Sequence, residues 1–170
     1  QPEQAFISMA QAVRLSPGDH ELRANARRAA EAADSLDTWA EVIAEMLEKD
    51  QGPVAATLHR ELAELYEKKL DNHAEAVNHL TQVLALDAKS EDALKSLMRL
   101  HRAKEQWPEL VSVIERMSAV ETDPHERTAL DREAALLSEQ RLNDLERAAF
   151  SWRQIATRDA KSKDAAAALD

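Results

Sequence analysis

The residues best equipped to do chemistry here are six histidines, His20, His59, His73, His79, His101 and His125, and their spacing argues against a metal site. A zinc hydrolase helix would place two histidines four apart with a glutamate after the first, and no pair fits. A helical di-iron site would need a glutamate three residues before a histidine. The residues at those places are Pro17, Ala56, Leu70, Ala76, Met98 and Thr122. His73 and His79 lie six apart on one expected helix, which points them to different sides. The histidines therefore read as solvated or hairpin-packing residues, and no metal and no cofactor is expected. Gly18 and Gly52 are the only glycines, so no phosphate-cradling loop and no nucleophile elbow is present. The lack of cysteine removes thiol nucleophiles, thiolate metal sites and disulfides together. No catalytic residue is expected, and the chain reads as non-enzymatic.

Two other groups of residues could serve recognition. Trp39, Trp107 and Trp152 could stack on bases or anchor a peptide. Trp39 and Trp107 instead fall at the starts of expected helices and Trp152 on an apolar stripe, so all three are assigned to packing. Lys95, Arg99 and Arg102 recur at steps of four and three and form one basic stripe along a helix. In a chain with a net charge of −10, that stripe stands out as a place to receive acidic groups. The same overall charge argues against a nucleic-acid partner, because a duplex repels the molecule as a whole.

The elements that must carry these residues are helices. Leu58, Leu62, Leu65 and Leu70 repeat at helical spacing, as do Ala76, Leu80, Val83 and Leu84, and Leu110, Ile114 and Met117. Sustained strand-like alternation appears nowhere. Helices are expected near 2–15, 20–33, 37–49, 54–70, 73–86, 91–104, 107–120, 125–142, 144–158 and from 163 to the end. Pro17-Gly18 and Gly52-Pro53 mark turns. Ser90 is expected to cap one helix, and Asp123-Pro124 to open another as a capping box closed by Glu126. No apolar run approaches the ~20 residues that span a membrane, so no direct membrane insertion is expected. The chain opens on Gln1, so the lack of a leader says nothing of compartment. Lack of cysteine suits cytoplasm and periplasm alike.

The chain also repeats itself. Arg60, Glu61, Leu62, Ala63, Glu64 and Leu65 recur as Arg132, Glu133, Ala134, Ala135, Leu136 and Leu137, about 72 positions on, and Gln82-Val83 recurs as Gln154-Ile155. Ala5 and Ala76 stand at about the same interval. Trp39 and Trp107, about 68 apart, are expected to be equivalent, which implies about three extra residues in the first copy near 31–36.

A helical hairpin of ~34 residues in tandem resembles the tetratricopeptide repeat. Residues 91–122 resemble one such repeat, with Leu94, Leu97, Met98 and His101 on its first helix and Trp107, Leu110, Ile114 and Met117 on its second. The family's small mid-helix residues are matched by Ala63, Ala135, Ala5, Ala76 and Ala148, while Met98 and Leu110 depart from them. The likeness is to the degenerate, alternating repeats of large bacterial members. It implies an all-α, right-handed superhelical solenoid of antiparallel helix hairpins, about four to five repeats with incomplete ends. One array would fill 1–170, in hairpin units near 20–52, 53–89, 90–123 and 124–160. The spacing has the chain open within a second helix and stop within a first, as an excerpt of a longer array would.

The resemblance also implies a function, a scaffold or adaptor that holds a partner protein or peptide in a concave groove lined by first helices. Carried over, the groove-facing residues are Arg28, then Arg60, Glu64 and Glu67, then Asp92, Lys95, Arg99 and Arg102, then Arg132, Leu136 and Glu139. An acidic segment is the ligand their basic stripe would select. Two other roles follow from the architecture, a regulatory or substrate-recruiting arm of a larger enzyme and self-association through the solenoid ends.

Overall fold

The computed structural model describes residues 1–49, 52–158 and 166–167. Among them every regular element is helical: α1 (Pro2–Leu15), α2 (His20–Ala32), α3 (Leu36–Lys49), α4 (Ala55–Lys68), α5 (His73–Leu86), α6 (Glu91–Ala103), α7 (Trp107–Val120), α8 (Pro124–Leu137) and α9 (Leu145–Arg158). These match the first nine expected helices to within a few residues. The tenth, from 163, falls mostly outside the described residues.

Short polar side chains start several of these helices by satisfying backbone N–H groups that the first turn leaves without partners. Asp19 accepts from Leu22 N at 2.9 Å, and Asn72 from Glu75 N at 3.2 Å. Asp123 accepts from both His125 N and Glu126 N, at 2.8 and 3.0 Å. That carboxyl is accordingly held below its ordinary range by those two backbone donors. Glu126 does not close the expected capping box; the Asp123 N–H goes back to Glu121 Oε1 at 2.9 Å. Ser90 stands at the N-cap of α6 without a side-chain cap bond.

The chain folds as two compact units, Gln1–Ala88 and Lys89–Asp170. In the first, Phe6, Val13, Ala26, Ala30, Trp39, Ile43, Leu58, Leu62 and Leu65 belong to one core. Alanine at 26 and 30 leaves α2 without bulk on its inner face, so neighbouring helices can approach it closely. In the second unit Leu110, Val111 and Ile114 of α7 pack with Ala134 of α8, and Trp152 and Ile155 of α9 pack with Ala135. Trp39 and Trp152 are buried, whereas Trp107 is half-buried beside that core with the Arg141 guanidinium 5.0 Å above its ring.

Among the described residues four other than glycine adopt positive φ, and they follow α2, α4, α6 and α8 in turn: Asp34, Asp71, Glu105 and Asn143. Each lets the chain reverse after a helix whose last carbonyls would otherwise lack donors. The closing bond alternates. Ser35 N donates to Ala30 O and Gln106 N to His101 O, both at 2.9 Å and five residues back. Asn72 N donates to Tyr66 O at 2.8 Å and Asp144 N to Ser138 O at 2.9 Å, six residues back. The six-residue form after α8 coincides with a π-helical turn at Ser138–Leu142, within the run expected to be plain α-helix.

This alternation corrects the tryptophan register. Asp34 and Glu105 stand about 71 apart, and the buried positions of α3 and α7 superpose at that interval, Trp39 on Leu110, Ile43 on Ile114 and Met46 on Met117. Leu36, not Trp39, is the counterpart of Trp107. The three extra residues near 31–36 do not exist; identity of residue type misled where identity of burial does not.

Candidate functional site

Within the first unit, α2 and α4 flank a groove of 320 Å³ lined by His20, Arg23, Ala24, Arg27, Arg28, Glu61 and Glu64. The five α2 residues recur at 20, 23–24 and 27–28, the spacing of one helical stripe, with Ala26 and Ala30 holding the opposite face in the core. On α4, Leu58, Leu62 and Leu65 are buried and turn Glu61 and Glu64 toward the opening.

Ion pairs set the electrostatics of this groove. Arg23, only 3% exposed, donates from Nε to Glu61 Oε1 at 2.9 Å and also to the Pro17 carbonyl. Its charge is satisfied inside the wall. Arg27 reaches Glu64 Oε1 at 3.4 Å, and Lys68 reaches the same oxygen at 3.3 Å. Burial by itself would raise the Glu64 carboxyl, but the hydrogen bonds and charges of Arg27 and Lys68 hold it below its usual range. At the end of α2, Lys69 bonds Glu31 and lowers that carboxyl too. Arg28 differs: among the described residues it pairs with no carboxylate, and its guanidinium donates to Asn25 Oδ1. Three lining guanidiniums face two carboxylates, one of them shared with Lys68, so the groove is net positive, and Arg28 is its guanidinium without a carboxylate among the described residues.

Of the eleven residues carried over from the resemblance, Arg28 and Glu64 line this groove. Arg60 and Glu67, also on α4, are half-buried and not among its lining residues. In the second unit Asp92, Lys95, Arg99 and Arg102 are exposed along α6, as a stripe at their spacing requires. Acidic neighbours already engage part of it: Lys95 bonds Glu91 at 3.1 Å and Arg102 pairs with Glu133 of α8. Arg132 is half-buried and Leu136 exposed on α8, while Glu139 accepts the Trp152 indole N–H at 3.3 Å and is thereby directed at α9. The lining residues His20, Arg23, Ala24, Arg27 and Glu61 were not anticipated. A usable trace of them exists in the sequence: Arg23 with Glu61, Arg27 with Glu64 and Glu31 with Lys69 are opposite charges one repeat apart.

No group of three or more histidine, aspartate or glutamate residues that could hold a metal ion occurs among the described residues. No helix there is long and apolar enough to cross a membrane.

Residues 58–94 match the family model of the tetratricopeptide repeat. Among solved structures, the chain is similar to a tetratricopeptide repeat protein from Parabacteroides merdae ATCC 43184, with 15% identity and a TM-score of 0.55 over 99% of this chain and 64% of that one. It is also similar to the MamA protein, with 13% identity and a TM-score of 0.54 over 96% of this chain and 85% of that one. YrrB, a TPR protein with an unusual peptide-binding site, gives 12% identity and 0.51 over 98% and 82%. No curated protein sequence matches. The matched segment and the shared architecture show the tetratricopeptide-repeat fold, an all-α array of helix hairpins. Such arrays serve in general as protein-interaction scaffolds.

Proposed function

We propose that this protein holds a partner through the α2–α4 groove and that the segment it holds there is acidic. Arg28 carries the reading. Arg23 and Arg27 are committed to Glu61 and Glu64 and shape the walls, which leaves Arg28 as the cation of the groove without a carboxylate. A partner carboxylate bonded to a guanidinium gains a charge-assisted, bidentate contact and displaces only the weaker Asn25 partner. His20, two turns away along α2, adds a further polar group to the groove. Peptide binding in YrrB supplies precedent for the fold and nothing about the ligand of this chain. The alternating turns favour hairpin units near 20–52, 53–89, 90–123 and 124–160, with α2 and α4 as successive first helices.

The test uses a fluorescein-labelled decapeptide of alternating Glu and Ala, and its Gln–Ala counterpart, in anisotropy titrations of the 170-residue chain. The acidic peptide binds and weakens as salt rises from 50 to 300 mM, because exposed charge pairs are screened over about 10 Å at 0.1 M. Arg28→Glu reduces its affinity at least tenfold and leaves the melting curve in place, since Arg28 is exposed and takes no part in the core. Lys95→Glu with Arg99→Glu has the smaller effect. Equal affinity for the two peptides, or an Arg28→Glu variant that binds like the parent chain, defeats the proposal.

A further inference from the structure

The 72-residue repeat brings one place in each unit into correspondence, and the two places are filled differently. In the first unit His59 of α4 and His79 of α5 meet Nδ1 to Nδ1 at 2.9 Å, and Tyr66 stacks on His79 with ring centroids 5.6 Å apart. Their counterparts in the second unit are Asp131, Ser151 and Ser138. Three rings are replaced by three small polar side chains, and Ala55, wholly buried, is replaced by Arg127. The second unit has a pocket of 160 Å³ between α7, α8 and α9, whose polar lining includes Arg127, Asp131, Ser151, Gln154 and Arg158.

The charges in this pocket do not balance. Asp131, 7% exposed, accepts from Ser118 Oγ at 2.6 Å on one oxygen and pairs with Arg158 through the other, so both its oxygens are engaged. Glu115 at the rim is fully used by Arg147, which donates to its two oxygens at 2.8 and 2.7 Å. Arg127 has no carboxylate left, and its buried Nε has no hydrogen-bond partner among the described residues. Arg127 also lies close enough to Arg158 for the two charges to oppose each other. A buried guanidinium nitrogen without an acceptor costs free energy, and a nearby like charge adds to it; one further oxyanion relieves both. Phe150, 56% exposed, borders this pocket on one side and the Leu145–Ala149 face of α9 on the other.

We infer that this pocket is a second recognition site, independent of the α2–α4 groove, which takes a carboxylate of a partner peptide between Arg127 and Arg158 while Phe150 receives an adjacent apolar side chain. The surplus of three guanidiniums over two carboxylates asks for one negative charge, and the exposed ring beside it asks for apolar cover. An acidic residue next to a leucine-like one supplies the two within one short segment. Inorganic phosphate would satisfy the guanidiniums but not the ring.

The experiment follows the arginine Nε–H resonances of the 170-residue chain by NMR while acetyl-Glu-Leu-Glu-Leu-amide is added. Arg127 and Arg158 shift saturably; the Gln-Leu analogue shifts them at least fivefold less, and the Glu-Ser analogue binds at least threefold more weakly. Arg127→Gln lowers affinity at least tenfold and Phe150→Ala at least threefold. Arg28→Glu, which disables the α2–α4 groove, leaves the Arg127 shifts in place, so failure of one site is distinguishable from failure of the other. Equal shifts from the Glu and Gln peptides, or full affinity in a folded Arg127→Gln, overturn the inference. So does inorganic phosphate that moves these resonances while the peptide does not. Should Arg127→Gln not fold, undiminished affinity in Phe150→Ala overturns it, because a half-exposed ring is dispensable for folding.

Discussion

The α4–α5 and α8–α9 hairpins share a register and differ in how they fill it. In the first, a hydrogen-bonded imidazole pair and a stacked phenol occupy the space behind the hairpin. In the second the same positions hold Asp131, Ser151 and Ser138, and the first two of these line a pocket with surplus positive charge. The apolar frame is held constant meanwhile: Leu80 and Trp152, Val83 and Ile155, Ala63 and Ala135, and Ala76 and Ala148 are equivalent and all buried. A repeat fold thus separates what must be kept, the small and apolar positions where helices touch, from what can be exchanged for recognition. The difference between copies is where function is best sought.

The largest contrast expected between the units lies in their ion pairs. Glu61 and Glu133 are equivalent by the 72-residue offset, yet their partners differ. Arg23 is 3% exposed against Glu61 at 22%, whereas Arg102 and Glu133 are 49% and 37% exposed. Removing one member of a buried pair leaves a desolvated charge and costs about 3–5 kcal/mol, whereas an exposed pair contributes about 0–1 kcal/mol. Urea unfolding of Arg23→Ala should therefore show a loss several times that of Arg102→Ala. Similar losses would mean the two walls are built alike.

The imidazole pair gives the first unit a pH dependence of its own. One Nδ1 must donate and the other accept, so the bond exists only while at least one ring is neutral. Burial holds His59 below its ordinary value. His79 is lowered by burial first and then by the charge of His59, against a smaller raising effect of Glu75. A histidine lowered in the folded state binds protons more readily when unfolded, so stability is full above the unfolded value of about 6.5. It falls as pH drops through that value toward the folded ones. The urea midpoint should decline from pH 7.5 to 5.5, and His79→Ser, which installs the second unit's residue, should flatten that decline. An unchanged slope would show that the contact does not set the titration.

How much of this was legible follows from the kind of information each feature needs. Helix ends were readable because caps and apolar spacing are local: Pro17-Gly18 and Asp123-Pro124 announce themselves. The tetratricopeptide fold was readable because its repeat is a pattern in one dimension. The His59–His79 contact was not, since it joins two helices and the residues are 20 apart, whereas the comparison that suggests itself is His73 with His79 on one helix. Arg23 and Arg27 were missed for a similar reason. Nothing along α2 tells an arginine buried against Glu61 from a solvated one; only the recurrence of opposite charges at the repeat interval does. The Trp39–Trp107 pairing failed because two large identical residues outweighed the quieter agreement of Ile43 with Ile114 and Met46 with Met117.

The smallest expected effect tests the alternating turns. Asp34, Asp71 and Asn143 suit left-handed backbone, because their short polar side chains tolerate it. Glu105, at φ 53°, is the exception, a longer side chain with no such local compensation. An L-residue held there costs about 1–2 kcal/mol relative to glycine, while glycine returns about 0.5–1 kcal/mol through greater freedom in the unfolded chain. Glu105→Gly should then stabilise the second unit by a few tenths of a kcal/mol to about 1 kcal/mol, whereas Asn143→Gly should change stability by less than about 0.5 kcal/mol. Paired thermal melts resolve a difference of that size if the variants are scanned side by side. The two turns differ also in closure, Gln106 N returning to His101 O and Asp144 N to Ser138 O. A gain at Asn143 larger than at Glu105 would place the strain in the π-turn and its six-residue closure. A gain confined to Glu105 places it in the side chain, and makes the two turn forms equally relaxed ways of ending a first helix.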